Sequence, residues 1–163
     1  MKNNSNAKSL ASMTLQCLTP QTISSLKAVK KLFTEYEADL LASIVISVKG
    51  QKVSISDLIQ DYQSAHKALW ADNLNLQLPY FVHGTIEKVI RRDKVWYINF
   101  TNKGDCYFSI VVFESHFKHF TYKDEQLIGK DILAYGYLKK NTFSKDRQST
   151  EMMIKANKYL EFL

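Results

Sequence analysis

Two short clusters hold seven of the cations in this 163-residue chain: Arg91, Arg92 and Lys94 in the first, Lys139, Lys140, Lys145 and Arg147 in the second. Guanidinium and ammonium groups attract phosphate oxygens, so two such clusters can grip a phosphodiester backbone from both sides. The same charges also suit ordinary solvated turns. Near them stand Tyr97, Asn99, Lys103, Tyr107 and Phe143. A tyrosine close to a cation suits base stacking, worth about 1–3 kcal/mol per base, although strand aromatics also serve cross-strand packing. Phe143 lies between Thr142 and Ser144, amid Lys and Arg and without apolar periodicity, so it serves either to stack on a base or to anchor its loop.

Other chemistry has little support. His116 and His119 have a His-x-x-His spacing, but no Cys, Asp or Glu cluster completes a metal site, so no metal and no cofactor are expected. A Gly-rich phosphate loop, a nucleophile elbow and a His-Glu-x-x-His signature are all missing, and the acidic residues of the C-terminal half are scattered rather than paired. No catalytic residue is assigned, and the expectation is a protein that is not an enzyme. Cys17 and Cys106 are the sole cysteines, which suggests neither a disulfide framework nor a thiol zinc site.

The residues of interest must be positioned by strands. Tyr80 to Ile90 alternates Val82, Gly84 and Ile86 on one side, and Arg91-Arg92-Asp93-Lys94 is a polar turn into Val95 to Phe100. Thr101 to Asp105 makes a second turn into Cys106 to Phe113, a β-branched and aromatic run. Glu114 to Phe120 breaks the pattern with a short helical piece; Asp131 to Leu138 restores it, and Glu151 to Ile154 follows a polar loop that starts at Lys139-Lys140-Asn141. Tyr159 to Phe162 is an apolar end that can seal the unit. With side chains alternating across each strand, Ile98, Phe100, Phe108, Ile110 and Val112 are assigned inward, and Tyr97, Asn99, Tyr107 and Ser109 outward. A one-residue slip would exchange the sets and expose Trp96 instead.

The N-terminal half reads differently. Residues 1–19 form a polar tail, and from Thr22 onward Ile23, Leu26, Val29 or Lys30, Phe33, Tyr36 or Glu37, and Leu40 recur at helical spacing. Ser43 to Ile55 switches to β-branched alternation around Lys49-Gly50-Gln51, a hairpin signal. A second helix starts at Ser56-Asp57 and aligns Leu58, Ile59, Tyr62, His66, Leu69 and Trp70. This predicts a flexible tail over 1–19, a helix-hairpin-helix extension over 20–77 and a β unit over 78–163.

Lys and Arg outnumber Asp and Glu by 22 to 16, and the excess leans toward the C-terminal half, which makes an anionic partner attractive. The polar start and the lack of any run of eighteen apolar residues predict a cytoplasmic protein without a membrane partner.

Four stretches now carry a resemblance: Val82-His83-Gly84-Thr85-Ile86, Trp96 to Phe100, Phe108-Ser109-Ile110-Val111-Val112-Phe113, and Ile128 to Gly136. In this order they resemble OB-fold nucleic-acid-binding proteins of the bacterial single-strand-binding type, similar to OB domains found beside nuclease-like domains. The match covers about half the chain, with alanine and tyrosine where valines are more usual near Gly136. The resemblance implies a mainly β protein with α elements: a five-stranded OB-fold β-barrel, preceded by the helical and hairpin extension. It also implies binding along strands two and three between flanking loops, while the acidic motif of nuclease relatives is missing. The expected function is a non-catalytic accessory factor that binds single-stranded nucleic acid, DNA above all, in replication, repair or mobile-element maintenance. Its alternative is an adaptor whose N-terminal helices dock on a polymerase, helicase, nuclease or recombination protein.

Overall fold

The computed structural model describes residues 24–35, 45–48, 50–143 and 145–163. The tail expected over 1–19, Ile23, Tyr36, Glu37, Leu40 and Ile44 lie outside them. No helix among the described residues is long and apolar enough to cross a membrane.

Helix α1, Ser24–Glu35, buries Leu26 and Val29, three residues apart and so on one face. Strands β1, Val45–Val48, and β2, Gln51–Ser54, form the expected hairpin, and Gly50 supplies the left-handed turn residue at φ 79°. The second helix departs from expectation, because it is split. A single turn, α2 at Ile55–Leu58, gives way to β3, Ile59–Asp61, and only then to α3, Tyr62–Trp70. Two interactions outweigh the helical periodicity: β3 pairs in parallel with Phe81–His83, and the Asp61 carboxylate accepts from the Gln63 and Ser64 backbone N–H groups, starting a new helix.

The remaining strands are β4 at Tyr80–Arg91, β5 at Val95–Phe100, β6 at Tyr107–Phe113, β7 at Asp131–Gly136, β8 at Leu138–Asn141, β9 at Ser149–Met153 and β10 at Leu160–Phe162. A 3-10 turn at Glu114–His119 and one helical turn, α4 at Asp124–Leu127, join β6 to β7. The protein is thus mainly β with few helices. Its large sheet is mixed, in the order β10-β7-β4-β5-β6-β9-β8; β3 pairs off that path, and β6 runs parallel to β9. The path is open rather than the closed five-stranded ring expected, although β7 and β8, far apart along it, are separated in sequence by Tyr137 alone. Lys139, Lys140 and Asn141, expected as loop, continue from Leu138 as strand β8 because each finds a partner on β9.

Strand β4 is bent. Its first half, Tyr80–Thr85, pairs with β7; its second half pairs with β5, and the register shifts between Ile86 and Lys88. Glu87 is therefore the extra residue of a bulge, a device that bends a strand and increases its twist. One core lies beneath, and α2 and α3 belong to it: Leu58 of α2 and Tyr62, Ala65 and Leu69 of α3 share it with Ile86, Ile98, Phe100, Phe108, Ile110 and Ile132. Each buried Leu, Ile or Phe among them contributes about 1.5–3 kcal/mol. The boundary expected at Leu78 therefore crosses a common interior. Tyr62 stacks on Phe100 at 4.9 Å between ring centres, and its hydroxyl donates to the Thr101 carbonyl at 2.7 Å.

A polar contact ties α3 to β9. Thr150 Oγ1 lies 2.7 Å from His66 Nδ1 and accepts from Trp70 Nε1–H at 3.2 Å. The indole only donates, so the hydroxyl is free to donate to an unprotonated Nδ1, which suits a neutral ring. Burial pushes the His66 pKa down, and burial lowers that of His83 as well.

Two outcomes are expected. A Cβ on Gly84 would collide with the rings of Tyr62 and Phe100, so Gly84→Ala should cost about 1–3 kcal/mol in urea unfolding; an unchanged midpoint would show that the two rings are not locked there. Above pH 6.5 both histidines are neutral whether the chain is folded or not, and their contribution is fully present. Below it the unfolded chain takes up protons that the folded one resists, so stability falls as the pH drops through the depressed values. Thermal unfolding between pH 7 and 5 should show this loss, with a shallower slope for His66→Gln.

Candidate functional site

The outward faces of β5, β6 and β9 form the floor of a groove of about 360 Å³, and pairing arranges its side chains in rows. One row is Lys88, Asn99, Ser109, Glu151 and Lys139; a second is Ile90, Tyr97, Val111 and Met153; the third includes Tyr107, Ser149 and Asn141. These residues share a face because directly paired residues point to the same side of a sheet. Ile98, Phe100, Phe108, Ile110 and Val112 are buried on the opposite face, whereas Tyr97, Asn99, Tyr107 and Ser109 are half-buried in the groove. Trp96 has the parity of Ile98 and stacks on Phe117, with ring centres 3.9 Å apart.

Arg92, Tyr97, Asn99, Tyr107 and Arg147 all line this groove. The Arg147 guanidinium sits 4.3 Å from the centre of the Tyr107 ring, so one face of that ring is covered by a cation. Ser109 Oγ donates to Asn99 Oδ1 at 2.5 Å. Arg147 and Tyr107 also border a neighbouring recess of about 510 Å³, where Lys145 lies beside Trp70 and Thr142. Phe143 stands at the tip of that loop, 98% exposed, and its N–H donates to Asn141 Oδ1 at 2.9 Å. Lys139 is exposed on the groove side of β8, opposite Glu151. Lys94 and Lys103 are exposed on the β4–β5 and β5–β6 turns.

Two of the expected cations are engaged elsewhere. Arg91 Nε lies 2.7 Å from Asp124 Oδ1, its Nη2 donates to the Tyr122 carbonyl at 2.9 Å, and its guanidinium covers the Trp96 ring at 4.2 Å. It pairs with Trp96 and thus leaves the groove face, clamping α4 to β4 instead. Lys140 pairs with Thr150, lies 2.8 Å from Asp72 and 5.2 Å from the Trp70 ring centre, and ties β8 to the end of α3.

The groove also holds residues that the sequence did not single out: Glu87, Lys88, Asn141 and Glu151. Glu87 and Lys88 are aimed there by the bulge, and Asn141 and Glu151 by the β8–β9 pairing. Only the β-branched alternation of β4 hinted at the first pair. Glu87 Oε2 accepts from the Asn102 N–H at 3.4 Å and so steadies the β5–β6 turn. Cys106 is buried at the groove edge, and burial pushes its thiol up to about 11, so it stays protonated at neutral pH. Among the described residues no three His, Cys, Asp or Glu side chains gather as metal ligands.

No family model and no curated protein matches the chain. Among solved structures, the chain is similar to the Stn1-Ten1 complex of S. pombe, with 12% identity, TM-score 0.36, and coverage of 52% of this chain and 57% of that one. It is similar also to the OBody AM3L09 bound to hen egg-white lysozyme, with 9% identity, TM-score 0.37, and coverage of 53% and 81%. For an aspartyl-tRNA synthetase of Entamoeba histolytica the identity is 12%, the TM-score 0.34, and the coverage 48% and 17%. The chain thus spans little more than half of the first of these proteins and under a fifth of the third.

The Arg91 clamp carries a testable consequence. Arg91→Ala removes a partly exposed ion pair and a cation–π contact, together worth about 1 kcal/mol after solvent screening. Urea unfolding should show a lower midpoint with an unchanged m-value, and an unchanged midpoint would remove Arg91 from the structural role.

Proposed function

We propose that residues 78–163 form an OB-type barrel and that the chain is a non-catalytic accessory protein binding single-stranded nucleic acid, DNA above all, in replication, repair or mobile-element maintenance. Strand order supports the barrel. With β7 and β8 counted as one strand bent at Tyr137, it runs β4-β5-β6-β9-β8/β7 and returns to β4, and β6 is parallel to β9. That is the order of a five-stranded OB barrel with its helical piece between the third and fourth strands.

The observation that carries the binding reading is the Tyr107–Arg147 pair at the lip of a groove that also holds Tyr97, Asn99, Lys88 and Arg92. Stacking faces and cations within one open concavity suit bases and phosphates of an unpaired strand, whose bases are free to leave a helix. Duplex DNA keeps its base faces stacked and cannot use the tyrosines. The adaptor reading draws no comparable support, since Leu26 and Val29, the described apolar side chains of α1, are already buried in the core.

Fluorescence anisotropy with an oligo-dT of about 30 nucleotides and a matching duplex, at two salt concentrations, tests this. Tighter, salt-sensitive binding to oligo-dT is expected; no binding at low salt would overturn the proposal. Arg92→Ala or Arg147→Ala should each reduce the salt slope by about 1, whereas Tyr97→Ala should weaken binding with the slope unchanged. Equal slopes in all three variants would contradict this division between backbone and base contacts.

A further inference from the structure

The central row of the groove presents an ordered set of hydrogen-bonding groups. Asn99 Oδ1 is occupied by the Ser109 hydroxyl, which fixes the amide and leaves its Nδ2 hydrogens as donors. Two strands along the same row stands Glu151, half-buried in the groove. Its carboxylate has no hydrogen-bond or ion-pair partner among the described residues, in contrast to Glu87, which is held by Asn102. The two Cα atoms are separated by two strand spacings, about 10 Å, on one face with Ser109 between them, a span that the two side chains and the edge of one base can fill.

A carboxylate here works against a purely electrostatic grip, because it repels the phosphates that Lys88, Arg92 and Arg147 attract. It becomes favourable when a base offers donors to it. The Watson–Crick edge of guanine presents an acceptor, O6, followed by two adjacent donors, N1–H and the N2 amino group. No other common base has two adjacent donors: cytosine and adenine offer one amino group beside an acceptor nitrogen, and thymine or uracil one N3–H between two carbonyls. A donor from Asn99 and a two-oxygen acceptor from Glu151 complement guanine, and a second carboxylate oxygen would face an acceptor on each of the others.

We infer that the groove reads guanine in a single strand, with Asn99 Nδ2 donating to O6 and the Glu151 carboxylate accepting from N1–H and N2–H, while Tyr97 and Tyr107 supply stacking. This rests on the single-strand reading above. Glu151 is then the residue that sets base preference, with Ser109 holding the Asn99 amide in the required orientation.

The test is anisotropy with the full chain and a series of dT oligonucleotides in which one central residue is dT, dG, dI, dC or dA; a single guanine avoids multi-stranded guanine structures. The dG probe should bind about tenfold tighter than the dT probe. Inosine keeps O6 and N1–H but loses the N2 amino group, so dI should forfeit most of the gain. Glu151→Gln should bring the dG-to-dT ratio close to one, whatever its effect on dT itself, and the same series in ribose form should keep the order if the base edge is what is read. Equal affinity for all five probes, or an unchanged ratio in Glu151→Gln, overturns the guanine assignment and leaves single-strand binding standing. Failure to bind any probe overturns both.

Discussion

The groove face of the large sheet depends on how β4 bends at Glu87. One strand must pair with β7 over its first half and with β5 over its second, and the extra residue between Ile86 and Lys88 makes the change of direction. The bend is held by the Gly129-Lys130 segment: Gly129 N–H donates to the Ile86 carbonyl at 2.8 Å, and Ile86 N–H donates to the Lys130 carbonyl at 3.0 Å. Gly84 sits just before it, bare of a Cβ, with Tyr62 and Phe100 packed on its Cα. Because side chains alternate with a period of two, this register decides that Asn99 and Tyr97 face the groove and Ile98 and Phe100 the core.

The same packing explains the charge of the groove. Arg91 and Lys140 are spent on holding α4 and α3 to the sheet, so the cations left around the groove face two carboxylates, Glu87 and Glu151. On the proposed reading, such a surface would hold phosphates less indiscriminately than a uniformly basic one and place more of its selectivity in direct contacts with the ligand. Helix α3 adds rigidity beneath it, since His66 and Trp70 both meet Thr150, whose neighbours Ser149 and Glu151 face the groove.

Much of this was legible in the residue pattern. The limits of β4, β5 and β6 and the inward set on β5 and β6 follow from β-branched alternation between turns rich in Gly, Asp and Lys. What escaped is non-local. Ile59–Asp61 fits a helical face, and only its parallel pairing with Phe81–His83 pulls it straight. Lys139-Lys140-Asn141 reads as loop, and only β9 turns it into a strand. Arg91 and Arg92 are indistinguishable in sequence; alternation sends one to Trp96 and Asp124 and the other to the groove. Glu151 has no local signal of its own, and only the β6–β9 pairing sets it in the row of Asn99 and Ser109.

The most direct test of the proposed interface is a map of amide and side-chain NMR shifts in the 15N-labelled chain during titration with a single-stranded oligonucleotide. The account predicts changes concentrated at Lys88, Tyr97, Asn99, Tyr107, Ser109 and Glu151 and at the Arg147 guanidinium, with the Arg91 guanidinium and the Trp96 indole unmoved. Shifts centred instead on Arg91, Trp96 and Asp124, or on Tyr135, Tyr137 and Tyr159, would place the ligand on another face and contradict it.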